Sequence, residues 1–219
     1  MLEIACFNAA SAIAAAEAGA DRIELCSDYT VGGLTPSIDS LRQIRRETKK
    51  AINVMIRPRP GNFVYSDDEI ERMKSEIQLL KQEANGFVFG ILDNKNQVDT
   101  VRNIELVQLA APLPCTFHRA FDQVVHMSEG ARQLIRCGFT SILTSGGRPN
   151  AVLGAEKVAE LQQELGNIIE LILGGGVRST NVKYLMEKTE VRWYHSAAIT
   201  APGEVVDADE VAKLKARLD

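Results

Sequence analysis

The sequence predicts a (β/α)8 barrel of the TIM type, a single compact domain over residues 1–219, and three observations lead there. Eight short apolar runs recur, at 2–7, 22–26, 53–58, 86–93, 114–122, 141–147, 169–176 and 191–198. A helix-like stretch follows each, and strands alternating with helices make a parallel sheet because every parallel step needs a crossover. Eight units close this kind of barrel, and at about 27 residues each they leave no room for an inserted domain.

The elements follow in order. After strand one, Asn8 caps an alanine-rich helix over 9–18 that Gly19 ends. Strand two alternates, with Ile23 and Leu25 toward the helices and Arg22, Glu24 and Cys26 toward the barrel interior. Gly32 and Gly33 make the next loop flexible, and Pro36 opens helix two, which runs to Thr48. Met55 and Arg57 share a face of strand three, ahead of a stiff cationic turn, Arg57-Pro58-Arg59-Pro60-Gly61-Asn62. Ser66 and Glu69 form a capping box for a helix reaching toward Glu83. Strand four ends at Asp93, and helix four covers 98–111. Strand five places Thr116, His118 and Asp122 on one face; helix five covers 127–137 and stops at Gly138. Strand six closes in Thr144-Ser145-Gly146-Gly147 before a helix at 151–165, and strand seven closes in Gly174-Gly175-Gly176 before one at 180–188. Strand eight leads into Ser196-Ala197-Ala198, and Asp207 caps a last helix ending at Leu218.

Composition narrows the partners. An apolar fraction of 45% suits a well-packed core, and 25 basic against 29 acidic residues leave a net charge of −4. That balance speaks against nucleic-acid or membrane-surface partners, which select basic patches. No apolar run approaches the roughly 20 residues of a membrane span. The chain opens directly as a strand with no signal pattern. Its four cysteines, Cys6, Cys26, Cys115 and Cys137, show no CxxC spacing. A disulfide framework or zinc module is therefore not expected, and a reducing cytoplasmic setting is.

Barrels of this type do chemistry at the C-terminal strand ends, which here carry Glu24, Arg57, Asp93, His118, Asp122, Ser145 and His195. Gly174, Gly175 and Gly176, with Ser196 and Ala197 on the next strand, match the position where many barrels hold phosphate on backbone N–H groups. Ser145 would widen that anion site, although a tight turn alone also accounts for the glycines. His118 is the candidate for proton transfer or metal ligation, with Asp122 to orient it and His195 entering the same mouth. Neighbouring Glu24 and Arg57 are expected to pair with each other, since interior charges need partners. Glu3 and Arg22 read as a stability network lower in the barrel. Cys26, His118 and His195 are the candidate metal donors, yet the residues alone do not call for copper.

Several motifs together carry a resemblance. They are Gly19-Ala20-Asp21-Arg22-Ile23-Glu24-Leu25-Cys26-Ser27, Gly32-Gly33-Leu34-Thr35-Pro36-Ser37, Val54-Met55-Ile56-Arg57-Pro58-Arg59, Thr116-Phe117-His118-Arg119-Ala120-Phe121-Asp122, Leu143-Thr144-Ser145-Gly146-Gly147 and His195-Ser196-Ala197. In these the chain resembles the CutC family of copper homeostasis proteins. The resemblance implies a cytoplasmic barrel, often oligomeric, associated with copper tolerance and proposed to bind copper ion. On that reading Cys26 is the thiolate for Cu(I), with a mouth histidine beside it. The residues themselves keep a second reading open, a lyase- or isomerase-like enzyme for a small anionic or phosphorylated metabolite. There His118, Asp122, Glu24 and Arg57 are catalytic and the glycine loops bind the anion. A third is a scaffold retaining an ancestral mouth.

Overall fold

The computed structural model describes residues 1–219. Eight strands, β1 (Leu2–Cys6), β2 (Arg22–Leu25), β3 (Ala51–Met55), β4 (Gly86–Phe89), β5 (Cys115–Phe117), β6 (Ser141–Thr144), β7 (Glu170–Leu173) and β8 (Trp193–Ser196), form a closed barrel in sequence order. Every pairing is parallel, including the closing one in which Glu3 of β1 lies beside His195 of β8. The outer helices are α1 (Ala9–Glu17), α2 (Ile38–Glu47), α3 (Asp67–Leu80), α4 (Thr100–Ala110), α5 (Met127–Cys137), α6 (Ala151–Leu165), α7 (Val182–Thr189) and α8 (Ala208–Leu218).

Strand alternation sorts the side chains. Ile23, Leu25, Ile52, Val54, Phe87, Phe89, Phe117, Ile142, Leu171 and Leu173 enter one core cluster between sheet and helices. The opposite faces fill the barrel with two smaller apolar groups, Cys26–Met55–Val88 and Leu143–Ile172–Trp193. With the interior plugged by these groups, ligand space is left at the ends alone.

Asn8, Ser66 and Asp207 cap their helices as expected, accepting hydrogen bonds from first-turn N–H groups, and Ser66 with Glu69 closes the capping box. Asp99 and Asn150, not singled out from the sequence, do the same for α4 and α6. Helix two begins at Ile38, two residues later than expected: Ser37 is its cap, so Pro36 lies outside it. The strands stop short of the predicted ends. After Phe89 the chain turns into a small antiparallel bridge between Leu92 and Val98, which also moves the start of α4 to Thr100. After Phe117, His118 caps a 3-10 turn over Arg119–Gln123. That turn redirects Asp122, with consequences for the site.

Candidate functional site

A cavity of about 340 Å3 opens at the C-terminal ends of the strands; its wall includes Glu24, Arg57, His118, Arg119, Arg178 and His195. These residues come from five different strand ends or the loops after them, brought to one rim by closure of the barrel.

A charged chain runs from beneath the cavity into its wall. Arg22 Nε donates to Glu3 Oε2 at 2.5 Å while its guanidinium stacks on Trp193. Glu3 Oε1 lies 2.8 Å from His195 Nδ1, and His195 Nε2 lies 3.6 Å from Glu24 Oε2. Burial works against the charge of Glu3, but Arg22 and His195 outweigh it and hold its pKa below the usual value. Burial likewise opposes charge on His195, and Glu24 and Glu3 outweigh it, raising the pKa of the ring. Glu24 differs: burial dominates and pushes its pKa up to about 7, with His195 opposing. Its Oε2 also receives the Cys26 thiol at 3.8 Å, whereas its Oε1 is buried with no protein partner.

His118 is positioned by backbone. Its Nδ1 accepts the Ala120 N–H at 3.2 Å. The neutral ring therefore carries its proton on Nε2, which is buried and has no protein partner. Burial, then the nearby Arg57 charge, lowers its pKa to about 3, so the imidazole is neutral at physiological pH. Gly90 makes room for it: a Cβ there would sit 2.8 Å from His118 Nδ1. Phe63 packs against the ring with centroids 4.7 Å apart.

The remainder of the wall is cationic. Arg57 donates only to carbonyls, those of Val31 at 2.9 Å, Gly33 at 3.2 Å and Gly61 at 2.9 Å. Arg178 donates to the carbonyls of Val177 and Ile199 and to Ser196 Oγ. Neither guanidinium is neutralised by a carboxylate. Beside them, the Gly175 and Gly176 carbonyls accept from Ala151 N–H at 2.7 Å and Asn181 Nδ2 at 2.9 Å, while the N–H groups of Gly175, Gly176 and Ala197 reach no protein acceptor. Gly175 (φ +101°) and Gly176 (φ +76°) lie in the left-handed region that this arrangement requires. Free amides next to unneutralised guanidinium groups suit an anion.

Of the residues singled out from the sequence, Glu24, Cys26, Arg57, His118, Gly175, Gly176, His195, Ser196 and Ala197 meet on this one wall. Others fall elsewhere. Gly174 is wedged below, where a Cβ would meet Leu143 at 2.7 Å and His195 at 3.3 Å. Ser145 is fully buried and Asp122 partly so, in their own network behind Arg119. Asp122 accepts from Thr144 Oγ1 at 2.6 Å, Ser145 N–H at 2.9 Å, Gly147 N–H at 3.1 Å and Arg119 Nε at 2.8 Å. It therefore orients Arg119 and the β6 loop rather than His118. The expected Glu24–Arg57 pair does not form, because Glu24 faces His195 and Arg57 faces carbonyls. Asp93 accepts from Lys95 and Gln97 N–H groups and only closes its own turn. Two participants were missed. Arg178 was signalled by a cation two positions beyond the glycine run, and Glu3, read as purely structural, also holds the mouth histidine.

Fold and site together define a (β/α)8 barrel with a cationic, carboxylate-bearing mouth. The chain belongs to the CutC family, whose model matches residues 1–200. It is 38% identical over 199 residues to the human copper homeostasis protein cutC homolog, covering 90% of this chain and 73% of that protein. It is 36% identical to the Caenorhabditis elegans homolog, covering 99% and 94%. The crystal structure of CutC from Streptococcus agalactiae superposes with a TM-score of 0.85 at 32% identity, covering 90% of this chain and 98% of that one.

The donor set bears directly on copper. Cys26, His118 and His195 do not gather into one cluster; the trio whose ligand atoms lie within 4.8 Å of one another is Glu3, Glu24 and His195. Both Glu3 oxygens are already engaged by Arg22 and His195. Burial, then the Glu24 charge, drives the Cys26 thiol upward and keeps it protonated, whereas Cu(I) binds thiolate. The oxygen-rich mouth fits a soft metal poorly.

Proposed function

We propose that this copper homeostasis family member acts through its C-terminal mouth on a small organic anion, carrying a phosphate or carboxylate, in a reducing cytoplasm. One observation carries the reading. Arg57 and Arg178 face a common cavity with hydrogen bonds to neutral acceptors alone, next to backbone N–H groups without partners. Arg57 Nε is buried without a partner, which is costly, and an anion gives an acceptor to it and to the half-buried N–H groups of Gly175 and Ala197 beside it. Four buried, unpaired cysteines support a reducing compartment, and no helix is long and apolar enough to cross a membrane.

Inorganic phosphate tests the reading by thermal unfolding. With a Kd of about 1 mM, 10 mM phosphate stabilises by about 1.4 kcal/mol, or roughly 3–6 °C for a domain of this size. Arg178→Gln removes most of that shift. Stabilisation no larger than that given by chloride at matched ionic strength would leave the cavity without an anion.

A second reading, copper as cargo, is favoured by the names of the relatives and by Glu24 Oε2, which lies 3.8 Å from the Cys26 sulfur and 3.6 Å from His195 Nε2. Cu(I) titration of the reduced protein against a competing chelator tests it. Cys26→Ser and His195→Gln weaken binding if copper sits here, and unchanged binding by both variants moves copper off the mouth.

A further inference from the structure

The same wall holds two buried polar atoms of opposite character that its own protein neighbours leave unused. Glu24 Oε1 is an acceptor and His118 Nε2–H a donor, and both residues line the anion cavity. We infer that they form a base–electrophile pair that moves a proton on the carbon next to a carbonyl group of the bound anion. This inference rests on the anion reading above and adds the reaction class to it.

The chemistry balances without a further reactant. The C–H bond beside the carbonyl breaks and its proton passes to Glu24 Oε1. The electron pair left behind forms a C=C bond, and the carbonyl π pair moves onto oxygen, giving an enolate. That oxygen receives the hydrogen bond from His118 Nε2–H and lies in the field of Arg57. Return of the proton to the same carbon restores the substrate; return to the former carbonyl carbon, with transfer of the hydroxyl proton between the two oxygens, gives the isomer. Glu24 ends each cycle ionised as it began.

Each partner has the form the step needs. The Ala120 N–H fixes the His118 tautomer so that the proton is on Nε2, and a neutral imidazole can polarise a carbonyl without protonating it outright. Glu24 is steadied through Oε2 by His195, which Glu3 holds from below, leaving Oε1 without a protein partner. Guanidinium groups and glycine amides fix the anionic end. At about 340 Å3 the cavity lies at the small end of ligand pockets, roughly 300–1,000 Å3. It suits a short phosphorylated ketone or aldehyde rather than a nucleotide.

The test uses dihydroxyacetone phosphate, ribulose 5-phosphate and unphosphorylated 2-ketobutyrate as probes. Binding is measured by calorimetry, and proton exchange by the loss of the α-proton NMR signal in D2O. At least one phosphorylated probe should bind and exchange its α-proton faster than in buffer. Glu24→Gln keeps the probe affinity within about threefold while slowing exchange by roughly 10²–10⁴-fold, the range for a general base. His118→Gln slows exchange by about 10²-fold with KM little changed, as for loss of one donor to a developing oxyanion. Circular dichroism confirms that both variants are folded. A probe that binds but exchanges equally with wild type and Glu24→Gln overturns the inference and leaves anion binding intact. Failure of every probe and of phosphate to bind overturns both.

Discussion

Glu24 should weaken the fold that carries it. In the folded protein its carboxyl holds a proton up to about pH 7, against 4.5 for the free side chain, chiefly because it is buried. Between those values the folded state binds more protons than the unfolded chain, so stability falls as pH rises through the window and the loss is complete above it. A rise from 4.5 to about 7, at about 1.36 kcal/mol per pH unit, amounts to about 3 kcal/mol. The attraction of His195 and the repulsion of Glu3 are already contained in that net position.

Glu24→Gln keeps the size of the side chain and removes the charge. At pH 8.5 the variant should be more stable than wild type by about 3 kcal/mol, or roughly 6–12 °C in Tm for a domain of this length. At pH 5, where the folded wild type is protonated, the difference shrinks to under about 1 kcal/mol. Urea unfolding at both pH values, with equal m-values, measures this directly. A variant no more stable than wild type at pH 8.5 would show that Glu24 is hydrated rather than desolvated, and Oε1 would lose its standing as a poised acceptor. A gain in stability accompanied by loss of exchange activity identifies the trade expected of a residue held strained for chemistry.

Three other outcomes follow from the same geometry. Proton exchange should rise as pH passes about 7 and Glu24 ionises, with no inflection from His118, whose pKa of about 3 lies outside the range; a pH–rate profile reads both. Asp122→Ala strips Thr144, Ser145, Gly147 and Arg119 of their shared acceptor. It should lower stability by about 3 kcal/mol in urea titrations while the His118 ring resonances stay in place. Gly175→Ala forces a side chain into a left-handed backbone at φ +101°, with its Cβ 3.0 Å from that of Ser145. It should destabilise by about 1–2 kcal/mol and weaken phosphate binding by about tenfold, the effect of losing one well-placed anion contact.

How far the site was legible depends on which geometric rule governs each residue. Alternation along a strand is fixed by covalent geometry, so the inward direction of Glu24, Cys26, Arg57 and His118 could be read directly, and closure of eight units then placed them at one mouth. Register between strands is not written in any single segment. Glu24 lies opposite Asn53, so Arg57, four residues further along β3 and its extension, stands about 13 Å higher at the usual strand rise. The expected ion pair was therefore out of reach. Meanwhile Glu3 is beside both Arg22 and His195, and the stagger at closure carries His195 up to Glu24. Asp122 escaped for a different reason: alternation holds only while the strand lasts. β5 stops at Phe117, and His118 spends its Nδ1 capping the turn that follows. That local bond swings Asp122 away toward β6 and at the same time decides which nitrogen of His118 carries the proton. The identity of the residues at the mouth thus comes from strand parity, whereas their partners, and hence the available chemistry, come from stagger and from where a single strand ends.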